Sequence, residues 1–168
     1  LFDDSRTYGA DKYTDLNIRA SVNSMEDAEY FSASAVEYGR KLKVHVKIDT
    51  GMGRLGFIAD GLTSSEGSTP LYKNIKKISE LPNIEIEGVY THFANSDTRD
   101  KTHAGEQLAL FKKLSVELES VLDKKPLFHM ANSAAIMEIP ESHFDIARPG
   151  IILYGLYPSD EVDRGIID

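Results

Sequence analysis

The sequence predicts an α/β fold: a parallel sheet with intervening helices, forming part of a TIM-type (β/α)8 barrel with about five strands. Three observations lead there. Short β-branched runs alternate with helical periodicities along the chain, and such alternation implies parallel strands joined by helical crossovers. A complete eight-unit barrel takes about 250 residues, roughly 31 per unit, so five units in 168 residues have the density of most of a barrel but not all of it. The apolar strands also end repeatedly in polar or glycine-bearing residues, at Thr50–Gly51, Thr91–His92, Asn132–Ser133 and Arg148–Pro149–Gly150. In parallel α/β folds the carboxyl ends of the strands are where small molecules bind. An open doubly wound sheet is the competing architecture, but no dinucleotide-type glycine fingerprint follows an early strand.

Each element has its own signal. Residues 16–22 alternate as a strand, and Ser24-Met25-Glu26-Asp27 resembles a capping box opening a helix to about Tyr38, with Gly39 as its terminator. Residues 43–49 form a second strand, and 58–69 a polar, glycine-bearing loop. Pro70 stands where a helix through Leu81 begins. Residues 84–92 are the third strand. Leu108, Phe111, Leu114 and Leu118 mark the longest helix, over 102–122. Residues 127–131 are the fourth strand, a short helix opens at Ser133, and 144–154, bent at Pro149-Gly150, reads as the fifth strand.

Composition narrows the function classes. Hydrophobic residues at 41% and charged residues at 27% are ordinary for a soluble globular domain. A net charge of −8 offers no basic face to nucleic acid or to an anionic membrane. No apolar run reaches the length of a membrane span, and the absence of cysteine excludes disulfides and thiolate metal sites. The expectation is a cytoplasmic protein without membrane or nucleic-acid partners. With no leader character at Leu1-Phe2-Asp3-Asp4 and a stop at Ile166-Ile167-Asp168, the chain reads as cut from something longer, with two open sheet edges that invite self-pairing.

The loop Thr50-Gly51-Met52-Gly53-Arg54-Leu55-Gly56 carries the richest chemistry. Its glycines permit tight folding against a bound group, and Arg54 offers a planar fork to a carboxylate or phenolate. A glycine-rich turn with a solvated arginine would read the same way. Lys47 sits in a run of buried type, where an ammonium is costly unless paired or modified; Asp49 is the structural candidate to pair with it. His92 closes its strand on the same edge as Arg54, although a lone histidine there can be purely structural. His45, His103, His129 and His143 have no spacing that gathers metal ligands, so no metal is expected. Ser133 is either a simple N-cap or part of an anion cradle with Gly150, since barrels often build phosphate sites from their last two strands.

Four segments together, Val-Lys-Ile-Asp-Thr-Gly-Met-Gly-Arg-Leu-Gly (46–56), Thr-His-Phe-Ala (91–94), Ala-Asn-Ser-Ala-Ala (131–135) and Ala-Arg-Pro-Gly-Ile (147–151), resemble the alanine racemase family. The resemblance runs over about residues 16–158 in the right order. It implies pyridoxal 5'-phosphate as cofactor, interconversion of L- and D-alanine supplying D-alanine for a cell wall, and a homodimer in the full-length protein. Residue by residue, Lys47 matches a lysine often carried as a carbamate that orients Arg54. Arg54 matches the arginine that engages the substrate carboxylate and the cofactor's phenolic oxygen. His92 matches a residue beside the pyridine ring that supports Arg148, and Arg148 matches the group facing the pyridine nitrogen. An arginine has no proton to lend that nitrogen, which weakens the ring as an electron sink and favours racemisation over transamination. Asn132 matches a polar neighbour of the phosphate cradle. Ser133 and the backbone of Gly150 and Ile151 match the cradle itself.

The resemblance also implies what is missing. Family members carry the cofactor on a lysine in a segment like Val-Lys-Ala-Asn-Ala-Tyr-Gly-His after the first strand, and use a tyrosine from a C-terminal β domain; neither has a match here. Tyr154 and Tyr157 do not fill that gap. The expected division is residues 1–158 as part of the N-terminal barrel domain and 159–168 as the start of a connection to the β domain, with the chain alone inactive. The alternatives are a racemase of the same fold for serine or another amino acid, a non-catalytic pyridoxal-phosphate-binding barrel, and a structural fragment that binds nothing.

Overall fold

A computed structural model describes residues 8–59 and 70–165. The elements run α1 (Ala10–Asp15), β1 (Ala20–Val22), α2 (Met25–Glu37), β2 (Leu42–Asp49), β3 (Phe57–Ile58), α3 (Pro70–Glu80), β4 (Ile84–Tyr90), α4 (Thr102–Val121), β5 (Leu127–His129) and α5 (Ser133–Glu138), with 3-10 turns at Pro140–Ser142 and Ile151–Tyr154. The sheet order is β1-β2-β4-β5, and β3 pairs with the end of β2. Every pairing is parallel. Helices α2, α3 and α4 are therefore the crossovers that parallel neighbours require, and the fold is the α/β parallel sheet that the sequence predicts.

Local chemistry sets the helix ends. Ser24 caps α2 by accepting from the Asp27 amide at 3.1 Å, while Asp27 reaches back to the Asn23 amide at 2.9 Å. At the other end Gly39 takes φ +59. The Gly39 amide then bonds the Val36 carbonyl and the Arg40 amide bonds the Ala35 carbonyl at 2.8 Å, the paired closure of a Schellman motif. On α4 the predicted stripe Leu108, Phe111, Leu114 and Leu118 is buried.

The strands divide their side chains between two faces. Val44, Val46 and Ile48 of β2 are fully buried against the helices, together with Phe31, Ile75, Ile78, Phe111 and Phe128. Lys43, His45, Lys47 and Asp49 occupy the opposite face. In β4 the register slips: Val44 pairs with Ile86, but His45 pairs with Gly88. Glu87 is the extra residue of this β-bulge. The extra residue exchanges the parity that faces the polar side, so that Glu87 itself and Tyr90 after it both point there, and Gly88 lies against the His45 ring.

Several predicted elements are corrected. Residues 16–19 are not strand: the short helix α1, absent from the sequence reading, ends at Asp15, Asn17 takes φ +53, and β1 begins only at Ala20. Leu16 and Ile18 are exposed, so their alternation reports no buried face. Ile58 belongs to β3 rather than to a loop; the rest of that predicted loop, 60–69, lies outside the described residues. The predicted fifth strand over 144–154 is not a strand. It touches β5 through one parallel bridge, Ile146 to His129. The Asp145 and Arg148 amides bond the Phe128 and Ala131 carbonyls, but Phe144 is left-handed at φ +49, Pro149 has no N–H to continue a ladder, and the chain closes into a 3-10 turn at Ile151.

Candidate active site

The Arg54 loop is built around the carboxylate of Asp49, the last residue of β2. Its Oδ1 accepts the amides of Gly51 at 2.9 Å and Met52 at 2.8 Å, and its Oδ2 accepts the Arg54 amide at 3.1 Å. Burial alone would raise the Asp49 pKa, but the backbone amides of residues 51–54 outweigh it and hold the carboxyl below its usual range. Gly51, Gly53 and Gly56 take φ of +132, +69 and +109. At Gly56 a Cβ would also lie 2.7 Å from the Lys47 carbonyl oxygen, so glycine is required there on both counts.

Lys47 is 3% exposed and donates its ammonium to the Leu55 carbonyl at 2.7 Å. Its hydrogen bond thus goes to the loop, while Asp49 is engaged by backbone amides. Burial, with the charges of Arg54 and Arg148 acting in the same direction, pushes the Lys47 pKa down despite Asp49.

Arg148 lines a cavity of about 360 Å³ together with Arg19, Ser21, His45, Lys47, Arg54, Tyr90, His92 and His129. Its Nη2 donates to the Thr91 carbonyl at 2.7 Å and the Met130 carbonyl at 3.0 Å, and lies 3.2 Å from His92 Nδ1. Its Nη1 lies 2.6 Å from His129 Nδ1. The guanidinium sits 5.3 Å from the centre of the Tyr90 ring, whose hydroxyl pairs with Ser21 at 2.7 Å. Burial, then the charges of Arg148, Arg54 and Lys47, bring the His92 pKa down to about 4, so His92 is neutral near pH 7. Among the described residues, four cations and no carboxylate line the cavity.

The second half of the predicted site is adjacent to the cavity but not part of its lining. Asn132, not Ser133, is the N-cap of α5: its Oδ1 accepts the Ala135 amide at 3.1 Å and the Ser96 hydroxyl at 2.8 Å. Ser133 is buried and its Oγ accepts the Gly150 amide at 2.8 Å, leaving its own proton to donate. A Cβ on Gly150 would come within 3.3 Å of that oxygen, so the two backbones close on each other here. Ile151 opens the 3-10 turn and is exposed.

The structure adds residues that the sequence reading did not assign to the site. His45 Nδ1 lies 2.8 Å from His129 Nε2, and His45 Nε2 lies 3.4 Å from Glu87. Tyr90 stacks on His129 with ring planes 1° apart. Glu87 is bound by Arg19 and by Lys43 at 2.6 Å, and these contacts, Arg19 first, bring its pKa down to about 2. Gln107 of α4 joins two strand ends, donating to Thr50 Oγ1 and the His92 carbonyl while accepting the Ala94 amide at 3.0 Å. One signal was available: Lys43, His45, Lys47 and Asp49 recur at every second position of an otherwise apolar strand, which marks a polar face.

Comparison with known proteins bears on this geometry. A family model described as "Alanine racemase, N-terminal domain" matches residues 5–158. An alanine racemase of Methanococcus maripaludis is 43% identical over 153 residues, 91% of this chain and 39% of the relative. One of Clostridium tetani is 44% identical over 152 residues, 90% of this chain and 37% of the relative. The chain therefore spans about two fifths of the length of these relatives. A solved alanine racemase of Clostridium difficile 630 superposes with a TM-score of 0.83 at 35% identity, covering 94% of this chain and 41% of that one.

Proposed function

The chain belongs to the alanine racemase family through its N-terminal domain, and from that premise we propose that the protein interconverts L- and D-alanine with pyridoxal phosphate. The observation that carries this reading is that Arg54 from the loop after β2, His92 from just past β4 and Arg148 from the segment after β5 all line one cationic cavity.

The cavity fits an anionic cofactor. Among the described residues its lining holds four cations without a carboxylate. Beside it, the Ser133 hydroxyl and the closely drawn Gly150 backbone offer a cradle for a phosphate, with Ile151 next in line. When bound, pyridoxal phosphate withdraws electron density from the amino acid Cα and makes its proton removable. The chain's own residues supply position and field. Arg148, held by two carbonyls and two histidines, presents a cation with no proton to give. Arg54, exposed at the cavity mouth, holds the alanine carboxylate, and the Asp49-ordered loop fixes its backbone. Lys47, with its proton affinity lowered by burial, is disposed to carbamylation, which needs the neutral amine and would exchange a cation beside Arg54 for an anion. His92 stays neutral and supports the Arg148 guanidinium. Asn132 fixes the start of α5 and so the position of Ser133.

In this reading residues 1–158 are part of the barrel domain and 159–168 lead towards a β domain. The cofactor-carrying lysine and the catalytic tyrosine come from parts of the enzyme outside this chain, so that the chain alone is inactive. The complete enzyme is a cytoplasmic homodimer. Its test is polarimetry on that enzyme with L-alanine and pyridoxal phosphate: rotation should decay to zero as D-alanine forms. Arg54→Leu should raise the KM for alanine at least tenfold while cofactor binding persists. A serine preference, or an unchanged KM, would sink the alanine assignment.

A further inference from the structure

Beneath Arg148 the hydrogen bonds form a chain that can run in only one direction. Arginine has N–H donors and no acceptor, so His129 Nδ1, 2.6 Å from Arg148 Nη1, must accept. A neutral His129 then carries its proton on Nε2 and donates it to His45 Nδ1 at 2.8 Å. His45 in turn carries its proton on Nε2, facing Glu87 Oε2 at 3.4 Å. Glu87 is ionised and acceptor-only, fixed by Arg19 and Lys43. The two ends agree: one can only donate, the other only accept. Protonating either ring would set N–H against N–H at one of the two short contacts. Burial, then Arg148 and His45, hold the His129 pKa down to about 3, in line with that exclusion.

The backbone is shaped to allow this contact. The bulge in β4 brings Glu87 onto the polar face, and Gly88 gives the His45 ring its space, since a Cβ there would lie 2.7 Å from His45 Cε1. Tyr90, stacked on His129, holds the second ring.

We propose that Glu87, His45 and His129 are positioning residues for Arg148: Glu87 is its relayed counter-charge, acting through two imidazoles locked as neutral Nε2–H tautomers. The assignment of a role to Arg148 rests on the racemase reading; the tautomer lock itself does not. A carboxylate placed directly on Arg148 would cancel its field in the cavity. A relay orients the guanidinium and leaves that field for an anionic ligand.

Nitrogen-15 NMR of the histidine rings in this chain tests the lock without activity. His45 and His129 should each show a bare Nδ1 and a protonated Nε2 at pH 7; a protonated Nδ1 on either ring overturns the proposal. Glu87→Leu should shift the His129 ring nitrogens, two links away, and in the complete enzyme should lower kcat about tenfold with little change in KM. Glu87→Gln keeps an acceptor and should restore the wild-type tautomers and most of kcat. Should Glu87→Leu lower the melting temperature but leave the His129 signals and kcat unmoved, Glu87 is structural only and the relay fails. If the ring signals behave as expected and no alanine is racemised, the relay stands and the proposed function falls.

Discussion

The carboxylate of Asp49 accepts three amides of the loop that carries Arg54, so the shape of that loop depends on one side chain. Hydrogen bonds to a charged acceptor contribute about 1.5–3 kcal/mol each at most, and the loss is cushioned where water can enter. Asp49→Ala should therefore destabilise the chain by about 2–3 kcal/mol in urea unfolding and, on the proposed function, raise the KM for alanine in the complete enzyme. A change under about 0.5 kcal/mol would show that the glycines alone hold the loop. At this scale the sequence was informative where chemistry is local. Arg54, His92 and Arg148 were readable because each stands in a polar or glycine-bearing stretch that follows an apolar run. Asp49 was a candidate partner for Lys47; its charge does act on Lys47, but its hydrogen bonds go to loop amides, which alternation along one face does not reveal. His45 and His129 stayed hidden because 84 positions separate two rings that lie 2.8 Å apart.

Among the elements, α2 and α4 were legible because capping and period are contiguous signals, and the buried stripe of α4 follows the written pattern. The segment over 144–154 was not. Its apolar residues resemble a strand, yet Ile151, Leu153 and Tyr154 are 43%, 69% and 81% exposed, and its polar backbone groups cannot form a ladder past Pro149. The bulge at Glu87 was equally invisible, since one extra residue leaves no mark in composition. Its presence makes Gly88 a contact residue. Gly88→Ala would press a methyl into the His45 ring and should cost about 1–3 kcal/mol, as overpacking commonly does. Chemical denaturation reads the cost, and loss of the His45–His129 ring contact in NMR identifies its cause. An unperturbed variant would mean that β4 shifts freely.

The molecule as a whole keeps buried neutral histidines beside fixed cations, and its stability should depend on pH accordingly. His92 and His129 titrate near 4 and 3 when folded, against about 6.5 in an unfolded chain. Their contribution is fully present above pH about 6.5 and declines as pH falls, because the unfolded chain then binds protons that the folded one refuses. Each histidine gives a slope of up to about 1.4 kcal/mol per pH unit until its folded form titrates. Glu87, lowered to about 2, adds loss in the same direction below pH about 4.5. The urea midpoint should be clearly lower at pH 5.0 than at pH 7.5; equal midpoints would contradict the buried neutral state. The architecture was predicted as a parallel α/β sheet because alternation of elements survives errors in any one of them. The polar face of the sheet was only hinted at by the spacing of Lys43, His45, Lys47 and Asp49. The partition of β2, with aliphatic even positions against the helices and polar odd positions on the other face, two of them, His45 and Lys47, in the cavity, assigns durability and specificity to separate sets of codons. A lineage carrying this strand can therefore drift in what it recognises without first surrendering its ability to fold.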